Sequence, residues 1–410
     1  MATPALTHLP DILEEHLEEL QLLWSRRAEA LRSPRYTPRH IALFDARIGA
    51  HTDGVRAVPN HALPPLQALL LQAEGGGAFT AAMALLALGA PDGGELLADA
   101  YAQAGAQMLI SLGDALRVGS MGQCESAVRS RLRDDDPLAS VVSRRVLARH
   151  TPYRPRSETV VSFVRDASPA VRRQGWRLAQ DLSLALDPKS YAAALRDEDH
   201  GVRSDALLAA AWCGVLGARA MARYAAEQPT IDNAESLRLL AVLGERDDEK
   251  RLAYVITDSA LGILRLELAG LYGAPRDVPM LLDAMSGDDP RAAIAAGEAF
   301  RRITGVDVES TVRATLPPAD GSQPDSFEQE FLDEGNLPDP TRAREHWARV
   351  APSLDGARRL CWGLDSTSPM APFQLIAADM ETRWYQVLRA RFYGTLNTSM
   401  AELEAYPARF

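Results

Sequence analysis

Three cysteines in 410 residues, Cys124, Cys213 and Cys361, are too few and too far apart for a disulfide framework, and none sits in a Cys-x-x-Cys pair that would hold zinc. They read as free thiols. Aromatic residues make up only 6% of the chain while 47% is hydrophobic, so the core is built mainly from Ala, Leu and Val, the side chains of packed helices. Val and Ile runs with period-two alternation are scarce, and no segment reads as a strand. The longest apolar stretch, Phe79 to Ala90, falls well short of the roughly 20 residues that a membrane-crossing helix needs. The opening MATPALTHLPD has no basic stretch followed by an apolar one, so no secretory signal is read there and the expected location is cytoplasmic.

Catalytic signatures are missing too. HExxH, GxSxG and GxxxxGK[ST] do not occur. Glu15-His16 and Glu345-His346 are isolated pairs, not the repeated His-Glu motif that binds iron in HEAT-repeat hydroxylases. Gly75-Gly76-Gly77 follows no strand and reads as a connector between helices. Asp134-Asp135-Asp136 and Asp197-Glu198-Asp199 resemble cation sites, but both fall at the same turn of a repeat, where Asp caps the next helix. No catalytic residue, cofactor or metal is expected. A net charge of −11 argues against nucleic acid as the general partner, because phosphate binding needs clustered positive charge. One segment runs the other way: Arg129 to Arg177 holds roughly twelve Arg against five acids.

What is present is a repeat. The polar residues Gln103, Asp134, Asp166, Asp197, Glu227, Asp258 and Gly287 recur at roughly 29 to 32 residues, the length of a short helical pair. Six, three and two positions before them stand Leu97, Ala100 and Tyr101; Val128 with Leu132; Val160, Phe163 and Val164; Tyr191, Ala194 and Leu195; Met221, Tyr224 and Ala225; Leu252, Val255 and Ile256; and Leu281, Ala284 and Met285. That spacing is one face of an α-helix. A turn such as Asp136-Pro137, Ser168-Pro169 or Asp289-Pro290 then opens a second helix, with a short polar cap and Pro in the first turn. Several second helices close near Gly217, Gly244, Gly273 or Gly305. Trp176 and Trp212 sit among small residues and belong to the core; Trp347 and Trp362 lie outside the array and are candidate exposed anchors.

The expected fold is therefore all-α, an α-solenoid of about seven to eight short helical pairs. Residues 1–72 form a helical cap, 73–310 the solenoid, 311–341 an acidic Pro- and Gly-rich linker or loop, and 342–410 a C-terminal helical segment. In the cap, Leu13, Leu17, Leu20 and Trp24 share one helical face, and Thr37-Pro38 opens a helix carrying Ile41, Phe44 and Ile48 inward.

The D-x-P-x-V-R pattern, best seen at Val171-Arg172 and Val202-Arg203, resembles the short HEAT-like repeats of the phycobilin-lyase type over roughly residues 75 to 305. The opening HLEELQLLWSRRAEALRSPRYTPRHIALFDARIGAHTDGVRA, the passage AGEAFRRITGVDV, the LPDP linker and the Trp-bearing helix after it resemble a bacterial HEAT-repeat family found near type VI secretion genes. That family has no established catalytic residues. The resemblance implies an accessory protein acting on a secretion spike or effector.

The partner-binding residues expected from the repeat are Arg133, Arg165 and Arg196, each just before its anchor in three successive copies, with Arg223 and Tyr254 four before theirs. Equivalent positions of a repeat array stack into a row, and arginine offers planar, bidentate donors to acidic groups. The competing role of such an Arg is to complement a helix C-terminus or pair with the adjacent Asp. Two other readings differ in class: a HEAT-like nucleic-acid-binding protein or DNA glycosylase using 129–177, and a bilin lyase.

Overall fold

The computed structural model describes residues 9–72, 76–89, 91–133, 135–318, 332–354 and 359–408. Asp134, Gly75 and the centre of the acidic linker lie outside them. The fold is all-α, a helical repeat. Contacts divide it into two compact units: Met1–Val215 with Asp379–Glu381 and Asn397–Phe410, and Leu216–Ala378 with Thr382–Leu396. The division falls inside the array, and the C-terminal stretch is shared between the two.

In the first unit the helix Leu9–Ala30 buries Leu13, Leu17, Leu20, Leu23 and Trp24 against Pro38–Arg56, which brings Ile41 and Ile48 inward. Pairs follow. First helices (Pro91–Gln103, Glu125–Ser130, Ser157–Val164, Pro188–Ala194) alternate with second helices (Ala106–Val118, Pro137–His150, Pro169–Asp181, His200–Trp212), the first helix being the shorter in the last three pairs, and consecutive second helices pack into one layer. Trp176 and Trp212 are fully buried in it. The turn acids cap as expected: Asp136 accepts from the Leu138 amide at 2.9 Å and Asp199 from that of Val202 at 2.8 Å.

The second unit repeats the pattern with first helices Gly217–Ala225, Glu249–Thr257 and Val278–Ala284 and second helices Ala234–Leu243, Leu264–Tyr272 and Pro290–Thr304. Leu252, Val255 and Ile256 are buried as the stripe requires. In Gly217–Ala225 the stripe is displaced. Ala218 and Ala222 face inward, whereas Tyr224 is 76% exposed. The helix turns this way because Arg219 and Arg223, one turn apart, pair with Glu245 and Asp248. The closing glycine also moves: Gly214, at φ 68°, takes the left-handed position expected of Gly217, which instead opens the next helix.

Two further corrections concern the C-terminal half. Strands do occur: Glu309–Thr315 pairs antiparallel with Glu334–Pro338, both lying largely within the stretch 311–341 read as a linker or loop, and Leu360–Cys361 pairs with Leu364–Asp365. The first hairpin escapes a period-two reading because its residues are mostly exposed; it packs through Gly335 and Pro338 against Ile294 and Gly297 of Pro290–Thr304. The second is joined by Trp362-Gly363, both at positive φ (53° and 73°), the two-residue turn that matches strand twist. Trp362 is half-buried there, not an exposed anchor, and Trp347 is half-buried as well.

That small hairpin crosses the ends of the second helices of its unit. The Leu360 amide donates to the Gly273 carbonyl at 2.7 Å, and the Trp362 and Gly363 amides donate to Arg302 and Ile303 carbonyls at 2.7 and 2.9 Å. Gly273 ends its helix at φ 77°, and a Cβ there would lie 2.1 Å from the Leu360 carbonyl oxygen, so both conformation and close approach require glycine. At the centre is Arg359, 4% exposed: its guanidinium donates to the carbonyls of Ala241, Val242, Gly244 and Tyr272 at 2.7 to 3.3 Å and lies 4.6 Å over the Tyr272 ring. Burial, with Arg389 nearby, pushes its pKa down to about 9, so it stays a cation at neutral pH where helix C-termini favour one.

Candidate partner-binding edge

The residues between first and second helices form one edge of each unit, and the ends of the second helices form the other. Arg133 and Arg196 stand exposed on the turn edge of the first unit, with no side-chain partner among the described residues. Arg165 is 56% exposed and leans onto the next short helix, donating to Ser190 Oγ at 3.2 Å and lying 3.6 Å from Asp187. Arg223 and Tyr254 belong to the second unit. Tyr254 is 62% exposed, but Arg223 is not a free group: it forms a two-pronged bond with the fully buried Asp248 at 2.5 and 2.8 Å.

The turn edge owes its rigidity to residues that the repeat pattern shows but whose role it hides. Arg172, from the V-R dipeptide, donates to the carbonyls of Asp166 and Ala167 in its own turn and grips the Asp197 carboxylate of the next at 2.7 and 2.8 Å. Arg203, its equivalent, donates to the carbonyls of Asp197 and Glu198. The signal that could have found this is spacing: Arg172–Asp197 and Arg223–Asp248 are both 25 residues apart. Burial raises the pKa of Asp197 and of Asp248, but the arginine bonds and the turn amides outweigh it and hold both below the usual 3.8.

A pH dependence follows. Because the folded-state pKa values are depressed, these carboxylates stabilise the fold fully above about pH 4 and lose that contribution as pH falls through their folded values. Urea midpoints measured from pH 7 down to 2 are expected to fall in the acid range, and less steeply for an Asp197→Asn/Asp248→Asn chain. An identical acid slope in both would show that the pairs do not couple to folding.

Much of the basic segment is engaged in pairs. Arg129 pairs with Glu125, Arg131 caps the Ala104 carbonyl, Arg144 bonds the Tyr153 hydroxyl, and Arg173 and Arg177 share Asp205. Deeper, Asp181 accepts from both Arg117 and Arg145 at 2.8 Å, while Arg145 also donates to Gln174 Oε1 at 2.6 Å. Among the described residues no group of three or more His, Cys, Asp or Glu converges on a point where a metal would sit. Nor is any of their helices long and apolar enough to cross a membrane.

These features define an all-α helical-repeat protein whose turn edge carries exposed arginines. No family model matches the chain, and no curated protein is detectably similar to it.

Proposed function

We propose that the protein is a non-enzymatic binding scaffold that engages an acidic surface of a partner protein through the turn edge bearing Arg133, Arg165 and Arg196. The observation that carries this reading is placement: Arg133, Arg165 and Arg196 fall at equivalent repeat positions of the turn edge and are exposed there, whereas Arg145 and Arg172 are engaged within the fold. An arginine fork held at a repeat spacing suits carboxylates on a matching protein surface. By resemblance of sequence, the proposed context is type VI secretion and the partner a spike or effector protein. The nucleic-acid reading has weaker support, because the arginines that motivated it are largely paired.

The test is an affinity capture from native lysate with the full chain and an Arg133→Glu/Arg165→Glu/Arg196→Glu chain. The native chain is expected to retain one acidic protein, which the triple variant loses more than tenfold with an unchanged melting temperature. Equal capture by both would move the interface off this edge. Capture of nucleic acid alone, falling steeply with salt, would replace the scaffold by the second reading.

A further inference from the structure

We propose that the far edge of the first unit is a peptide-binding groove, filled here by the chain's own residues 397–408. In trans it takes a partner segment of the same chemistry, an acidic residue followed two positions later by an aromatic one. This edge lies at the helix ends, away from the arginine turns, so the inference does not depend on them.

The segment is held as a ligand is held. Met400 is buried and its sulfur accepts from Gln180 Nε2 at 3.4 Å. The Glu404 carboxylate lies 3.6 Å from Arg117 and 3.7 Å from Arg32. Arg27 donates from Nη2 to the Ala405 carbonyl at 2.6 Å, and the Ala408 amide donates to Asp45 Oδ2 at 2.7 Å. Between those two main-chain bonds the Tyr406 ring stands edge-on to Trp24 at 4.7 Å, with the Arg27 guanidinium 5.4 Å from its centre.

The receiving groups are fixed by the scaffold, not by the segment. Arg27, 3% exposed, is anchored by Asp45 at 2.5 Å, and Trp24 packs on Phe79 at 5.4 Å. The segment supplies little regular structure of its own, only the single turn Met400–Leu403 capped by Ser399. Main-chain capture by an arginine, an aromatic shelf and a basic rim recognise an extended acidic peptide. Glu404 is 34% exposed, so solvent screens its pairs with Arg117 and Arg32.

The probe is a fluorescein-labelled peptide of residues Asn397–Ala408, titrated by anisotropy onto full-length chains. Glu404→Lys/Tyr406→Ala, which loosens the resident segment, is expected to bind it at least tenfold more tightly than the native chain, whose own segment competes at high effective concentration. Adding Arg27→Ala is expected to abolish that binding, and a peptide carrying the same two changes is expected not to bind. Binding to neither chain, equal binding to both, or binding that survives Arg27→Ala would overturn the proposal. So would a native dimer that Tyr406→Ala dissociates, since the groove would then serve exchange between copies. Glu404→Lys alone, at a partly exposed position, provides a folded chain, checked by circular dichroism, if the double variant does not fold, and must show the same direction of change.

Discussion

Arg359→Met is expected to destabilise the folded chain by about 3–5 kcal/mol, read as a lowered urea midpoint, because it leaves several buried carbonyls without donors. Among the described residues Arg359 bonds no carboxylate; its hydrogen bonds go to main-chain oxygens at the ends of two consecutive second helices, Ala234–Leu243 and Leu264–Tyr272. The last carbonyls of a helix have no partner within it and carry its partial negative charge. One cation therefore closes two helices, and methionine matches only its apolar stem. Hydrogen exchange should localise the effect: the Leu360, Trp362 and Gly363 amides, which donate to helix-end carbonyls, are expected to lose protection before the core does. Arg359→Lys keeps the charge with fewer donors and should cost about half as much. An Arg359→Met chain with an unchanged midpoint and unchanged protection would show that the hairpin rests on the helices without closing them.

The array itself was legible because burial imposes a period. Val160, Phe163 and Val164 had to lie on one helical face, and they are buried together. The Asp caps were equally legible, since a short polar residue before Pro has few other places to go. Where the pattern slipped, at Met221 and Tyr224, ion pairs from Arg219 and Arg223 competed with a stripe of weakly apolar alanines and set the rotation of the helix. Residues 359–366 were illegible for a different reason. The bonds that they donate to the helix ends fall on main-chain carbonyls, which leaves no periodic trace, and those carbonyls lie more than fifty residues away. At the turn edge, position could be read but commitment could not. Arg165 and Arg172 look alike in sequence, yet one remains largely exposed and the other bridges two repeats.

The second large effect is expected at Asp181. Replacing it with alanine should cost about 3–5 kcal/mol, because it is the acceptor shared by two buried guanidiniums, and a buried charge stripped of its partner is far more costly than an exposed one. Arg117 and Arg145 are 9% and 7% exposed at the side chain, and each donates to Asp181 at 2.8 Å. Asp114 lies at 3.3 and 3.5 Å from the same two arginines, too far to replace both bonds. Desolvation works against the charge on both; at Arg117 the neighbouring carboxylates Asp181, Glu404 and Asp114 overcome it and raise the pKa, whereas at Arg145 burial and the adjacent Arg117 prevail and lower it. Asp181 thus holds together two like charges that would otherwise repel. Asp205→Ala supplies the contrast: its partners Arg173 and Arg177 are 41% and 32% exposed, so its loss should cost under about 1 kcal/mol. Urea midpoints of the two variants would decide the matter. Similar losses at Asp181 and Asp205 would mean that the inner pair is hydrated and that the layer of second helices owes its cohesion to apolar packing alone.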